Sequence, residues 1–434
     1  MLITKKEYKS VGEYLYSGEL ENGLKIFVIP KQGYNSQYAV FGTHYGGAMR
    51  RFAIDGETID TPAGVAHFLE HKMFDMPDGS NALTTLSENG ADANAFTSSD
   101  LTCYHFSCTE HFEENLRILL QFVSTPYYTP ETVQKEQGII AQEIQMGDDS
   151  PGRQVYYDLL SLLYAHHPIK DAVVGTVESI AEITDQTLYH CHRVFYAPSN
   201  MVLCVEGDVN PERVFEIANE VLGSERKSIP QADFGEKESD LPLAPYKERQ
   251  MPVGMPEFLI GEKISNGAKD TEEPDGKSIL LQRLTAGLAL RLLAGASSSF
   301  YTRLYADGVL TRDFDVEIDY AVGTATMIIG GQSPDPEKVL QELLSEGDRI
   351  REKGFNKAYF SRTRKAMIGG QLRGLEDFDG TCVSLLADAF DGFCTLDVIE
   401  LLPQISRQAC EQWIADTFKP EKLAMAVIRP LTEE

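Results

Sequence analysis

FYAPSNMVLCVEGD, residues 195–208, and TFKPEKLAMAVIRP, residues 417–430, carry one pattern twice. In each a helical segment runs out, a proline opens the next element, and a buried apolar run of strand type follows. The two prolines, Pro198 and Pro420, stand 222 residues apart. Upstream, TVQKEQGIIAQEIQMGDD (132–149) and FSRTRKAMIGGQLRGLED (360–377) correspond as long helical segments. A repeat of this length means two domains of one fold, because solenoid repeats are far shorter.

Outward from these stretches, GLKIFVIPK, SQYAVFGTHY and LTCYHFSC alternate as strands of an antiparallel sheet. Segments with a 3.6-residue period, at 111–124, 130–147, 151–164 and 185–196 in the first half, read as covering helices. The second half repeats them at 276–293, 335–352, 355–371 and 378–390. Strands grouped beside several helices indicate an α+β fold: two similar domains, each an antiparallel sheet covered by helices. Residues 224–252 are rich in charge and proline and lack apolar periodicity, so they read as a linker. The expected division is therefore 1–223, 224–252 and 253–434.

The chain has 434 residues, 42% of them hydrophobic, which excludes disorder as the dominant state. Its 39 Lys+Arg against 66 Asp+Glu give a net charge of −27, a surface that repels phosphate backbones and argues against nucleic acid as a partner. The first residues, MLITKKEYKSVGEYLYSGEL, hold no apolar export core, and no run approaches the roughly 18 apolar residues of a membrane span. Seven cysteines, none in a CxxC pair and most within apolar runs, read as reduced core residues. These features lead us to expect a cytoplasmic protein with no membrane partner.

All nine histidines lie within residues 1–192, and two of them fall in VAHFLEHKMF (65–74). On a helix His67 and His71, four apart, share a face and can reach one point, with Glu70 on the same side. Two neutral imidazoles suit Zn²⁺, and a nearby carboxylate that is not a ligand can take a proton from water. The HxxEH pattern should arise by chance in only about one chain in a hundred of this length. A third ligand is needed, and Glu143 in the helix at 130–147 is the candidate. Glu136, two turns before it on the same face, would support a ligand imidazole. His166, His167, His190 and His192 are adjacent or two apart, do not share a helix face, and read as surface or loop residues.

HFLEH followed by the EQGIIAQEI helix resembles the inverted zinc-motif peptidases of the pitrilysin and insulinase type (M16). The similarity is greatest to the short bacterial, processing-peptidase-like members. GADANAFTSSDLTCYHF (90–106) and HHPIKDAVVGTVESI (166–180) fit the same family. The resemblance implies the LuxS/MPP-like metallohydrolase fold and one Zn²⁺ per chain on His67, His71 and Glu143. It also implies Glu70 as general base and Glu136 as supporting carboxylate. The implied activity is endopeptidase cleavage of unfolded peptides in an enclosed chamber. Asn94, Ala95 and Phe96 would lie on an edge strand that pairs with the peptide backbone.

Family members carry in their second domain an arginine and, about two turns later, a tyrosine that contact the substrate carbonyl. In SSSFYTRLYADGVLTRDFD (297–315), Tyr305 and Thr311 occupy those places. The departure leads us to expect a dimer, in particular a heterodimer with a zinc-free paralogue that supplies the missing groups. Two other readings share the fold: a non-catalytic structural or assembly subunit, and a dedicated protease that removes leader segments from peptide precursors.

Overall fold

The computed structural model describes residues 2–265 and 275–432. Strands β1 (Thr4–Tyr8), β2 (Glu13–Glu19), β3 (Lys25–Pro30), β4 (Gln37–Thr43), β5 (Arg51–Ile54) and β6 (Glu57–Asp60) precede β7 (Asp92–Thr97), β8 (Thr102–Cys108) and β9 (Met201–Gly207). They are followed by β10 (Gln231–Ala232), β11 (Tyr246–Met251), β12 (Glu257–Lys263), β13 (Asp315–Ala321), β14 (Thr324–Gln332) and β15 (Ala424–Pro430). A seven-stranded sheet runs β1-β2-β3-β9-β4-β8-β7, and a five-stranded sheet runs β11-β15-β12-β14-β13. A small third sheet, β10-β5-β6, stands apart.

The duplication seen in the sequence is a duplication of topology. The order β3-β9-β4-β8-β7 recurs as β11-β15-β12-β14-β13, and each copy contains one parallel pair, β3 with β9 and β11 with β15. The sheets are thus mixed, with the other pairings antiparallel. Pro198 and Pro420 each open a single 3-10 turn that delivers the chain into β9 or β15. Both strands are apolar on both faces: every residue of β9 and the first five of β15 are buried. That double burial is why both read as unbroken hydrophobic runs.

Two compact units result, and their boundaries depart from a division along the sequence. The first comprises Met1–Ile144, Asp171–Phe234 and Arg373–Leu396; the second comprises Gln145–Lys170, Gly235–Leu372 and Asp397–Glu434. The segments that change places contain corresponding helices, Pro151–Leu163 and Phe378–Phe390. The former packs on β12 and β15 in the second unit, and the latter on β9 and β4 in the first. A glycine makes room for each. A Cβ on Gly42 of β4 would stand 3.0 Å from Leu386, and one on Gly261 of β12 would stand 2.8 Å from Leu159. Cys382, Leu385 and Leu386 complete the core of the first unit against Val40, Cys103, Val202 and Cys204. Sequence periodicity finds such helices but not which sheet receives them.

The stretch expected to be a linker is partly ordered into sheets. Residues 246–251 form β11, parallel to β15, and residues 231–232 pair with β5. Strand β11 reads YKERQM because it lies at a sheet edge and is held by charge as well as by its ladder. Arg429 on β15 binds Glu248 at 2.6 Å, and Arg249 chelates Asp158 at 2.7 and 2.8 Å. One helical stretch, Gly276–Ala306, does have the length and apolar composition of a bilayer span, but more than half of its most apolar window is buried inside the protein. All seven cysteines are free and six are buried.

Glu262 on β12 is fully buried, and neither carboxylate oxygen meets a hydrogen-bond donor. Burial, only partly offset by Lys422, pushes its pKa up from 4.5 to about 8. The native state therefore favours the protonated acid, so the stability it carries is full below about pH 4.5 and is lost as pH rises through 8. Glu262→Gln should raise unfolding stability by about 2–4 kcal/mol at pH 8 and change it little at pH 4.5. Calorimetry at the two pH values checks this; parallel pH profiles for the two proteins would contradict it.

Candidate metal centre

Helix Val65–Lys72 starts from Gly64, whose φ of 95° lies in the left-handed region. Its Phe68 and Leu69 are completely buried, which fixes the rotation of the helix and turns His67 and His71 toward a common point. The long helix Pro130–Asp148 is anchored by Val133, Ile140 and Ile144, and brings Glu136 and Glu143 to the same place. His67 Nε2 lies 3.4 Å from Glu143 Oε1, and His71 Nε2 lies 3.6 Å from Glu143 Oε2. One donor atom from each of the three residues falls within 4.8 Å of the others.

This donor set fits zinc. Tetrahedral bonds of 2.0–2.1 Å require neighbouring donors to stand about 3.3 Å apart. The two measured His–Glu separations are close to that value. Glu136 accepts from or donates to His71 Nδ1 at 2.9 Å. With a cation on Nε2 the imidazole is neutral, so Nδ1–H must be the donor, and the carboxylate fixes that tautomer. Burial of His71 opposes its charging, but the bond to Glu136 and the charges of Glu70 and Glu143 outweigh it and raise the pKa. Glu136 responds in the opposite sense: burial opposes its ionisation, while the His71 bond prevails and lowers its pKa.

Glu70 stays outside the converging triad. Its Oε2 accepts a 2.6 Å hydrogen bond from the Thr97 hydroxyl at the end of β7. Sequence reading missed Thr97. Strand alternation was the available signal, since Thr97 shares a strand face with Ala95 and Ala93. Asn94, Ala95 and Phe96 lie in mid-β7, which pairs only with β8 and forms the edge of the seven-stranded sheet. The Ala95 N–H donates to Asn94 Oδ1 at 2.9 Å, and Phe96 packs against the core behind the strand.

The other histidines do not join the centre. His192 is buried within helix Asp185–Phe195 rather than on the surface, bonds the Val123 carbonyl at 3.0 Å, and is pushed down to about 4 by burial. His167 is likewise buried, beside Tyr164, whereas His166 is half-exposed. In the second unit, Tyr305 accepts a hydrogen bond from Arg312 Nε at 3.2 Å. The Thr311 hydroxyl donates to the Gln332 carbonyl at 3.3 Å.

Residues 56–177 match the model of the insulinase family (peptidase family M16), and residues 182–367 match that of the peptidase M16 inactive domain. The uncharacterized zinc protease YmfH of Bacillus subtilis is 37% identical over 99% of this chain and 100% of its own length. The crystal structure of an M16-like peptidase from Alicyclobacillus acidocaldarius superposes with a TM-score of 0.90 at 29% identity, covering 99% of both chains. A peptidase M16 inactive domain from Pseudomonas fluorescens shares the fold, with a TM-score of 0.77 at 16% identity over 97% of this chain and 98% of that one.

Proposed function

Since the chain belongs to the insulinase family of peptidases, M16, we propose that it is a zinc-dependent endopeptidase acting on flexible peptides. One observation carries this reading: His67, His71 and Glu143 converge within 4.8 Å while Glu70 stands beside them, held by Thr97 instead of joining them. The three would hold one Zn²⁺ per chain, with Glu136 fixing the His71 ring. When bound, zinc supplies Lewis acidity toward a carbonyl oxygen and toward water. The work of the chain is to place groups around it. Glu70 takes a proton from the attacking water and later delivers it to the leaving amine. Thr97 keeps that carboxylate in one orientation. The free edge of β7 at Asn94, Ala95 and Phe96 would take an extended peptide as an added strand, which selects flexible chains over folded ones.

A structural subunit without activity is the competing reading. The inactive-domain match covers 182–367, beyond all three converging residues, so it does not bear on their chemistry. Metal analysis of the purified chain tests the choice. About one zinc per chain supports the peptidase, and none supports the scaffold. A leader-peptide maturation protease is a narrower form of the same chemistry, favoured if a peptide precursor is encoded beside this gene.

Thr97→Val should lower kcat/KM roughly tenfold with zinc content and melting temperature unchanged, because it removes one hydrogen bond to a charged group. Unchanged kinetics would remove Thr97 from the positioning role. We also propose a companion chain, zinc-free and of related fold, because Tyr305 and Thr311 stand where the family's carbonyl-binding arginine and tyrosine belong. Its setting would be the cytoplasm, which suits buried free thiols. Native co-purification from the cytosolic fraction tests both ideas, and full activity of the isolated monomer would remove the companion.

A further inference from the structure

On the first unit a cavity of about 280 Å³ opens beside β7, on the sheet face opposite to Thr97. Its walls include Asp92 and Asn94 of β7, His105 of β8, Tyr38 of β4 and Asp379 of helix Phe378–Phe390. The Tyr38 hydroxyl donates to Asp379 Oδ1 at 2.7 Å, which orients that carboxylate. Among the described residues no lysine or arginine is paired with Asp92 or Asp379. Lys31 Nζ lies 6.0 Å from the Phe378 ring centre, but it is bound to Glu13 at 2.5 Å and Glu206 at 3.3 Å. His105 adds no positive charge near neutrality, since burial lowers its pKa despite the charges of Asp379 and Asp92. The cavity therefore carries two carboxylates, an aromatic wall and no resident cation.

We propose that this cavity binds the side chain of a lysine or arginine in the peptide laid along β7, and so makes the enzyme selective for basic peptides. The proposal rests on the peptidase reading above. Side chains of an added strand alternate between faces, one set toward Glu70 and the other toward Asp92 and Asn94. Asp92 and Asn94 lie five and three residues from Thr97 on β7. At about 3.3 Å per residue, the basic side chain sits roughly 10–17 Å from the hydrolytic centre, three to five residues along the peptide. A long aliphatic stem can lie across the edge strand and deliver its charge into the cavity, with Tyr38 beside it. The net charge of −27 would raise the local concentration of such peptides.

The test uses the zinc-loaded Glu70→Gln chain, with any companion that co-purifies, and fluorescent nonapeptides in which one lysine is walked through a neutral sequence. Norleucine takes its place in the controls. Anisotropy should show binding about five- to tenfold tighter for lysine than for norleucine, at alternate positions only. Asp92→Asn with Asp379→Asn should bring the two series within about twofold of each other, with norleucine binding unchanged. Equal binding of both series, while the unmutated enzyme cleaves them, overturns the cavity assignment and leaves the peptidase standing. A lysine preference that survives the double substitution overturns it as well. If no peptide is bound or cleaved, the peptidase reading fails together with the proposal.

Discussion

Glu70→Gln should keep about one zinc per chain and lose hydrolysis by a factor on the order of 10³. The substitution preserves shape. The amide oxygen can still accept the Thr97 hydroxyl that now holds Oε2 at 2.6 Å. It leaves His67, His71 and Glu143 untouched, so the donor set that fits the metal is intact. What it removes is a group able to accept a proton near neutral pH. Positioned general bases contribute about 10²–10⁴ in rate, and the same carboxylate would also protonate the leaving amine. Mass spectrometry of the native protein reports the metal, and single-turnover cleavage of a quenched fluorescent peptide reports the chemistry. Retained hydrolysis would end the base role, whereas loss of zinc with activity would make Glu70 a ligand.

The centre was legible because helical spacing is a local property. Four residues between His67 and His71, and seven between Glu136 and Glu143, fix shared faces whatever the tertiary fold. The partnership of the two helices was inferred from chemistry, since an inward carboxylate needs a counter-charge. The fold was legible for a related reason. Strands β9 and β15 are buried on both faces, so each prints an unbroken apolar run that shows the repeat.

Other features escaped because they are settled by neighbours far away in sequence. Strand β11 has no apolar alternation, and its ladder with β15 and the Arg429–Glu248 pair form only once residues nearly 180 apart meet. The exchange of helices Pro151–Leu163 and Phe378–Phe390 leaves no periodic mark, since an amphipathic stripe fits either sheet. Only Gly42 and Gly261, each facing a leucine of the incoming helix, hint at it. His192 read as a surface residue because HCHRVF shows polarity, not the Val123 carbonyl that receives its ring.

Substitutions of the converging residues should separate into two classes of zinc affinity. His67→Ala, His71→Ala and Glu143→Gln each remove a donor, so affinity should fall by several orders of magnitude and zinc should be lost on dialysis. Glu136→Gln removes no donor. It weakens only the 2.9 Å bond to His71 Nδ1, and outer partners of this kind are worth roughly 10- to 100-fold in affinity. His71→Ala has a second consequence, because it strands the half-buried Glu136 carboxylate that the imidazole now satisfies. It should therefore lower the melting temperature of the metal-free protein more than Glu143→Gln does. Competition titration with a chromogenic chelator measures the affinities, and calorimetry of the apo-proteins measures the stability. Were Glu136→Gln to lose zinc as completely as Glu143→Gln, Glu136 would have to be counted among the ligands. Were Glu143→Gln to keep it, the third ligand would lie elsewhere.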